Sequence, residues 1–288
     1  MQELESVTQA MGMGPGEPGS SDVSAIASAF KAARSNKALM RICVLAGKYK
    51  QLAHGLHKAR SKNGFEEVTG LESGGDISRL VPSELMKLGI PELELDFLRR
   101  FVEKQTLCRE FEAQERVGLG PVVLVVDESG SMIGSRNESA KAIALTLAWI
   151  ARKQNRWCGL VAFSGGTGHR VLALPPDRWN QVDLLDWLQS FLGGGSDQDV
   201  PTREMPAIFT EIGAPVGKTD LIYITDAELR ISEKRATEYN SWKASVKAKL
   251  FSLVLNSDPG DLKSISDEVH IISNLDPNEM GIKKVFSL

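Results

Sequence analysis

At 288 residues the chain can form one large domain or two small ones with at least one substantial core, and its net charge of −3 excludes a surface made throughout for nucleic acid. Its three cysteines, Cys43, Cys108 and Cys158, lack the C-x-x-C spacing of zinc or redox sites, so reduced thiols in a reducing compartment are expected. No apolar run reaches the ~20 residues that span a bilayer, and the N-terminus lacks the basic-then-apolar order of a signal peptide, so the expected location is cytoplasmic.

Residues 1–22, with "MGMGPGEPGSSD", are rich in Gly, Pro and Ser and predict a flexible lead-in. From 23 to 116 the apolar periodicity is helical, broken once by a polar, Gly-containing stretch, and predicts a small helical region without strands. Between Val23 and Phe65 there are nine Lys or Arg and no Asp or Glu, with Lys31, Arg34, Lys37, Arg41 and Lys48 near one helical face. That face is either solvated opposite a core of Leu39, Ile42 and Leu45, or a docking surface for an acidic partner, anionic lipid or nucleic acid. Only Phe30, Tyr49 and Phe65 offer aromatic platforms nearby, which weighs against single-stranded nucleic acid, and no specific nucleic-acid partner is expected. His54 and His57 have no carboxylate or Cys close by in sequence and read as surface or packing residues.

From 117 to 288 the pattern changes. "VVLVVD", "CGLVAF", "DLIYITD", "KLFSLVL" and the shorter "EVHIIS" are apolar on nearly every residue, as strands covered on both faces must be. Helical patterns alternate with them. The first follows "SRNE", where Ser135 and Glu138 have capping-box spacing, and puts Ile143, Leu147 and Ile150 on one stripe. The alternation predicts an α/β domain with a doubly wound, mainly parallel sheet flanked by helices, behind the helical region. Trp149, Trp157, Trp179, Trp187 and Trp242 fall in helical or strand contexts where packing is the expectation, and no cofactor box is implied.

In such sheets ligands bind beyond the carboxyl ends of the strands, where Asp127 and Asp226 both fall. Asp127, Ser129 and Ser131 of "VVDESGSM" can aim one carboxylate and two hydroxyls at a common point, and oxygen-only donors suit a hard cation such as Mg2+. Ser196 in "LGGGSDQD" offers a hydroxyl from a second loop, and Asp226 in "YITDAE" a second carboxylate. Asp197 and Asp199 could reach the same rim but read as solvated loop residues.

This D-x-S-x-S run, with a later hydroxyl after glycines and a strand-end Asp, resembles the metal-ion-dependent adhesion site of von Willebrand factor type A domains, over about Pro121 to Leu288. The resemblance implies five metal-site residues, Asp127, Ser129, Ser131, Ser196 and Asp226, binding Mg2+, with Mn2+ or Ca2+ as substitutes. It also implies a site that binds a partner's carboxylate and is not enzymatic. "AGKYKQLA", "EEVTGLESGGDISRLVPSELMKLG" and "GLGPVVLVVDESGSM" resemble the bacterial ViaA and CoxE-like group, which implies a chaperone-like or remodelling role beside a MoxR-type AAA+ ATPase. Two features depart from the family pattern: Ser196 replaces the usual Thr, and Glu128 is expected to add negative charge beside the site.

"AFSGG" around Ser164 resembles a nucleophile elbow, with Asp226 and His270 following in α/β-hydrolase order, but it leads into another extended run instead of a helix. "GAPVGKTD" has three residues where a P-loop needs four and precedes a strand where a P-loop follows one, so any ATP hydrolysis would belong to a partner.

Overall fold

The computed structural model describes residues 7–8, 10, 27, 31–62, 68–75, 77, 80–111, 120–165, 168–176, 178–195, 200–215, 217–226, 230–272 and 279–286. The chain divides into two compact units, one taking in the described residues of Met1–Lys58 and Leu119–Leu288, the other those of Ala59–Gly118. This differs from a division at 22 and 116: most of the basic helix α1 (Lys37–Lys62) belongs with the α/β part.

The first unit is built on a six-stranded sheet of β3 (Val122–Asp127), β4 (Cys158–Ser164), β5 (Gly168–Leu174), β6 (Thr219–Thr225), β7 (Ala248–Leu255) and β8 (Glu268–Ile272). Its spatial order is β5-β4-β3-β6-β7-β8, parallel throughout except for the antiparallel β4–β5 pair. From β3 the chain winds outward through β4 and β5 and then returns to the other side of β3 with β6. The order therefore reverses between β3 and β6, the switch point where doubly wound sheets bind ligands.

Every residue of β3 and β4 is buried, as double coverage demands. Leu124, Val126, Leu160 and Ile224 face a core shared with α1, α3 (Ser135–Lys153), α4 (Gln181–Gln189) and α7 (Met280–Phe286). Val123, Val125, Val161 and Tyr223 face the opposite core under α5 (Met205–Glu211) and α6 (Glu233–Ser245).

The stripe predicted for α3 is real but understates its burial, since every residue from Glu138 to Ala151 is buried. Helix α1 covers part of what the sheet leaves. Tyr49 meets Phe286 edge-on with ring centroids 5.7 Å apart, the Lys50 ammonium lies 4.7 Å from the centre of the Trp149 ring, and Arg41 pairs with Glu138 at 2.9 Å. Lys31, Arg34, Lys37, Arg41 and Lys48 are exposed opposite buried Leu39 and Ile42, while Leu45 is half-buried.

The expected capping box does not form. Ser135 is the first helical residue of α3, the cap position is Gly134 at φ 89°, and no side chain caps it. Glu138 is thereby released to pair with Arg41. Among the described residues no helix is long and apolar enough to cross a membrane. Cys43, Cys108 and Cys158 are buried, and burial pushes the Cys43 and Cys158 thiols up to about 12.

The second unit corrects the expectation of a region without strands. β1 (Val68–Gly74) and β2 (Thr106–Phe111) pair antiparallel, with Leu71 opposite Arg109 and a register shift between Val68 and Gly70. The spacing of Leu107 and Phe111 fits a helix as well as a strand, and pairing with a segment more than thirty residues upstream decides the outcome. Helix α2 (Pro91–Val102) turns Phe97 into a small core with Leu80 and Cys108.

Candidate metal centre

The site lies at the carboxyl ends of β3 and β6, on either side of the switch point. Asp127 is the last residue of β3 and Asp226 directly follows β6. Parallel pairing of these strands, Val126 opposite Ile224, brings the two acidic ends side by side.

The chain leaves β3 through Glu128 and Ser129 into a short 3-10 turn, Gly130–Met132. Asp127 Oδ1 accepts from the Ser129 amide at 2.8 Å and Oδ2 from the Thr225 hydroxyl at 2.6 Å. The Ser129 and Ser131 hydroxyl oxygens lie 3.1 Å apart. Burial pushes the Asp127 carboxyl above the ordinary carboxylate range, and the nearby Asp226 charge adds to this, against the hydrogen bonds from Thr225 and Ser129.

Asp226 is different. Both carboxylate oxygens are buried, and among the described residues neither has a hydrogen-bond partner. Arg136 comes nearest, its guanidinium 3.6 Å from Oδ2 while donating to the Ser131 carbonyl at 3.2 Å, on a side chain 41% exposed. Buried carboxylates are ordinarily hydrogen-bonded or metal-bound, so one held only by a long contact to a half-exposed Arg, beside a second carboxylate and two hydroxyls, fits a hard divalent cation. Among the described residues no group of three or more His, Cys, Asp or Glu could hold a metal, so a cation here would depend on hydroxyl oxygens as well as the two carboxylates.

Four of the five residues singled out in the sequence come together: Asp127, Ser129, Ser131 and Asp226. Ser196, Asp197 and Asp199 lie outside the described residues. The loop leading to Ser196 does run beside the site, since Gly194 O accepts from the Gly130 amide at 3.1 Å and Gly195 bridges to Gly165.

Glu128 does not add surface charge to the site. Its side chain is fully buried, 2.9 Å from the equally buried Lys141 ammonium, and it accepts from the Leu192 amide at 2.8 Å. Alternation along the extended chain turns it away from the side that Asp127 presents. Burial pushes the Lys141 ammonium below its ordinary pKa, and Glu128 pulls it back. Lys141, Thr225 and Arg136 escaped the sequence reading. A lone Lys in the apolar run "SAKAIALTLAWI" was the available signal for Lys141.

The hydrolase pattern fails on geometry. Ser164 pairs with Gly168 where β4 passes into antiparallel β5, so no strand-to-helix elbow exists, and its side chain is fully buried. His270 lies on β8, with β3, β6 and β7 between it and β4, so at ~4.8 Å per strand the two are about 19 Å apart. The Ser164 hydroxyl has no hydrogen-bond partner among the described residues. Ser164→Ala is therefore expected to raise stability by up to ~1 kcal/mol in denaturant unfolding. A loss would show that the hydroxyl has a partner after all. The "GAPVGKTD" segment leads into β6, as its position before a strand requires.

No family model matches the chain. It is similar to two uncharacterized proteins of Methanocaldococcus jannaschii, one 30% identical over 245 residues, covering 85% of this chain and 55% of the relative. The other is 28% identical over 233 residues, covering 81% of this chain and 58% of the relative. The chain thus spans a little over half the length of these curated relatives. Structural neighbours include von Willebrand factor type A domains. One from Catenulispora acidiphila is 20% identical with a TM-score of 0.45, covering 59% of this chain and 41% of its own. The SpRpn10 VWA domain is 12% identical with a TM-score of 0.45, covering 58% of this chain and 93% of its own.

Proposed function

We propose that the α/β unit is a von Willebrand type A module whose site binds a divalent cation, Mg2+ first, and through it a carboxylate of a protein partner. The observation that carries this reading is the buried Asp226 carboxylate, which has no hydrogen-bond partner among the described residues and lies near Asp127 across the switch point. In this reading Asp127 and Asp226 hold the cation directly or through water, and Ser129, Ser131 and Ser196 supply hydroxyl oxygens. The bound cation supplies a positive centre with a coordination position for a partner's Asp or Glu. No bond is broken or made in the partner, so the module is an adaptor and not an enzyme.

The partner proposed is a MoxR-type AAA+ ATPase, on the resemblance carried by "AGKYKQLA" and "GLGPVVLVVDESGSM", with a chaperone-like or remodelling role in the cytoplasm. A second reading rests on the exposed cations Lys31, Arg34, Lys37, Arg41 and Lys48, which suit an anionic surface such as lipid. The two readings separate by reagent, because adaptor binding falls with chelator and the basic face responds to salt instead.

Titration calorimetry of the chelator-stripped chain tests the metal site. Saturable uptake of Mg2+, with Mn2+ and Ca2+ compared, is the expected result. No uptake of any of the three at millimolar concentration, with or without the ATPase, rejects it.

A further inference from the structure

We propose that the buried Glu128–Lys141 pair is a positioning element. It sets the loop leading to Ser196 against the Asp127–Ser131 loop, and metal affinity thereby depends on a charge pair that offers the metal no oxygen of its own. The second half of this inference rests on the metal-site reading above; the first half does not.

Glu128 stands between two site residues in sequence, yet both of its carboxylate oxygens are engaged elsewhere. Oε1 lies 2.9 Å from the Lys141 ammonium and Oε2 accepts from the Leu192 amide at 2.8 Å. Lys141, on α3, continues the connection. Its ammonium donates to the carbonyls of Trp187 and Leu188, each at 3.2 Å, and to that of Ser190. The first two are carbonyls of the last turn of α4 and the third is that of its C-cap, a place where backbone carbonyls lack helical N–H partners and attract a cation; the Trp187 carbonyl also accepts from the Ser190 hydroxyl at 2.7 Å.

The chain from 187 to 194 is therefore held at both ends. Lys141 grips the end of α4, Glu128 grips Leu192, and the Gly130 amide grips Gly194 O at 3.1 Å. Gly130 belongs to the site loop itself, so the spacing of the two metal-bearing loops follows from where the pair holds Leu192. A buried pair is no route to stability, since well-packed apolar residues of similar size commonly do as well or better. What charge provides here is a set of fixed, directional partners at a place where the backbone, rich in glycine, has little stiffness of its own.

The double variant Glu128→Met/Lys141→Met replaces the pair by apolar side chains and leaves the Gly130–Gly194 hydrogen bond chemically intact. In chelator, hydrogen exchange at the Gly130 amide should speed by about tenfold or more while the Val123–Val126 amides of β3 keep their protection. In calorimetry the same variant should bind Mg2+ at least about tenfold more weakly than wild type. A folded double variant whose Gly130 amide exchanges as in wild type overturns the positioning role. Faster exchange with unchanged Mg2+ affinity overturns the link to the metal. If wild type takes up no Mg2+ but Gly130 still exchanges faster in the variant, the metal reading fails and the positioning role stands. Should the double variant not fold, Glu128→Gln keeps size and an acceptor for Leu192 while losing the charge that holds Lys141, and it is read in the same ways.

Discussion

Lys141→Met alone is expected to lower the stability of the first unit by about 3–5 kcal/mol, because it leaves the Glu128 carboxylate buried without its cation. For a unit of this size that is a fall in melting temperature on the order of 10 °C. Three sources add to the loss: the unpaired carboxylate, the freed α4 carbonyls, and the ring of Trp187, over which the Lys141 ammonium lies 5.3 Å from the centroid. The double variant with Glu128→Met should recover most of the loss, since no charge then remains buried. Thermal unfolding of wild type, single and double variants gives the comparison. A single variant within ~1 kcal/mol of wild type would mean that Glu128 finds water or turns outward on losing Lys141.

Asp226→Ala is expected to abolish Mg2+-dependent stabilisation without weakening the metal-free protein. Wild type at a Mg2+ concentration a hundred times its dissociation constant should gain about 2.7 kcal/mol, and the variant nothing. In chelator the variant should melt at or above the wild-type temperature, because the group removed is a buried carboxylate with no hydrogen-bond partner among the described residues and a second carboxylate nearby. Asp127→Ala is the poorer probe. It removes the acceptor of the Thr225 hydroxyl bond and of the Ser129 amide, and a buried amide left unpaired costs about 1–3 kcal/mol. An undiminished Mg2+ shift in Asp226→Ala would remove Asp226 from the site. A metal-free variant distinctly less stable than metal-free wild type would show that Arg136 or another partner holds the carboxylate in place.

Much of the site was legible because its positions follow from local pattern. A run such as "VVLVVD" must be a doubly covered strand, and its last residue must then lie at a carboxyl end, whatever the neighbours are. The same argument placed Asp226 after "LIYIT". Side-chain direction at Glu128 was not legible, because the cation it meets comes from α3 and the amide from the loop after α4. Nor was the failure of the capping box: Ser135 and Glu138 have the right spacing, but Gly134 takes the cap position and Arg41, on a distant helix, takes Glu138.

The sequence by itself therefore determined the alternation of strands and helices, the mainly parallel sheet, and the place of Asp127 and Asp226 at the carboxyl ends of β3 and β6, because each depends on periodicities of a few residues. Tertiary structure alone decided that α1 belongs with the α/β unit, that β1 pairs with β2, and that Glu128 and Lys141 meet inside. Those outcomes depend on which partners, tens of residues away, bury an apolar face, complete a ladder or neutralise a charge, and local patterning carries no record of them.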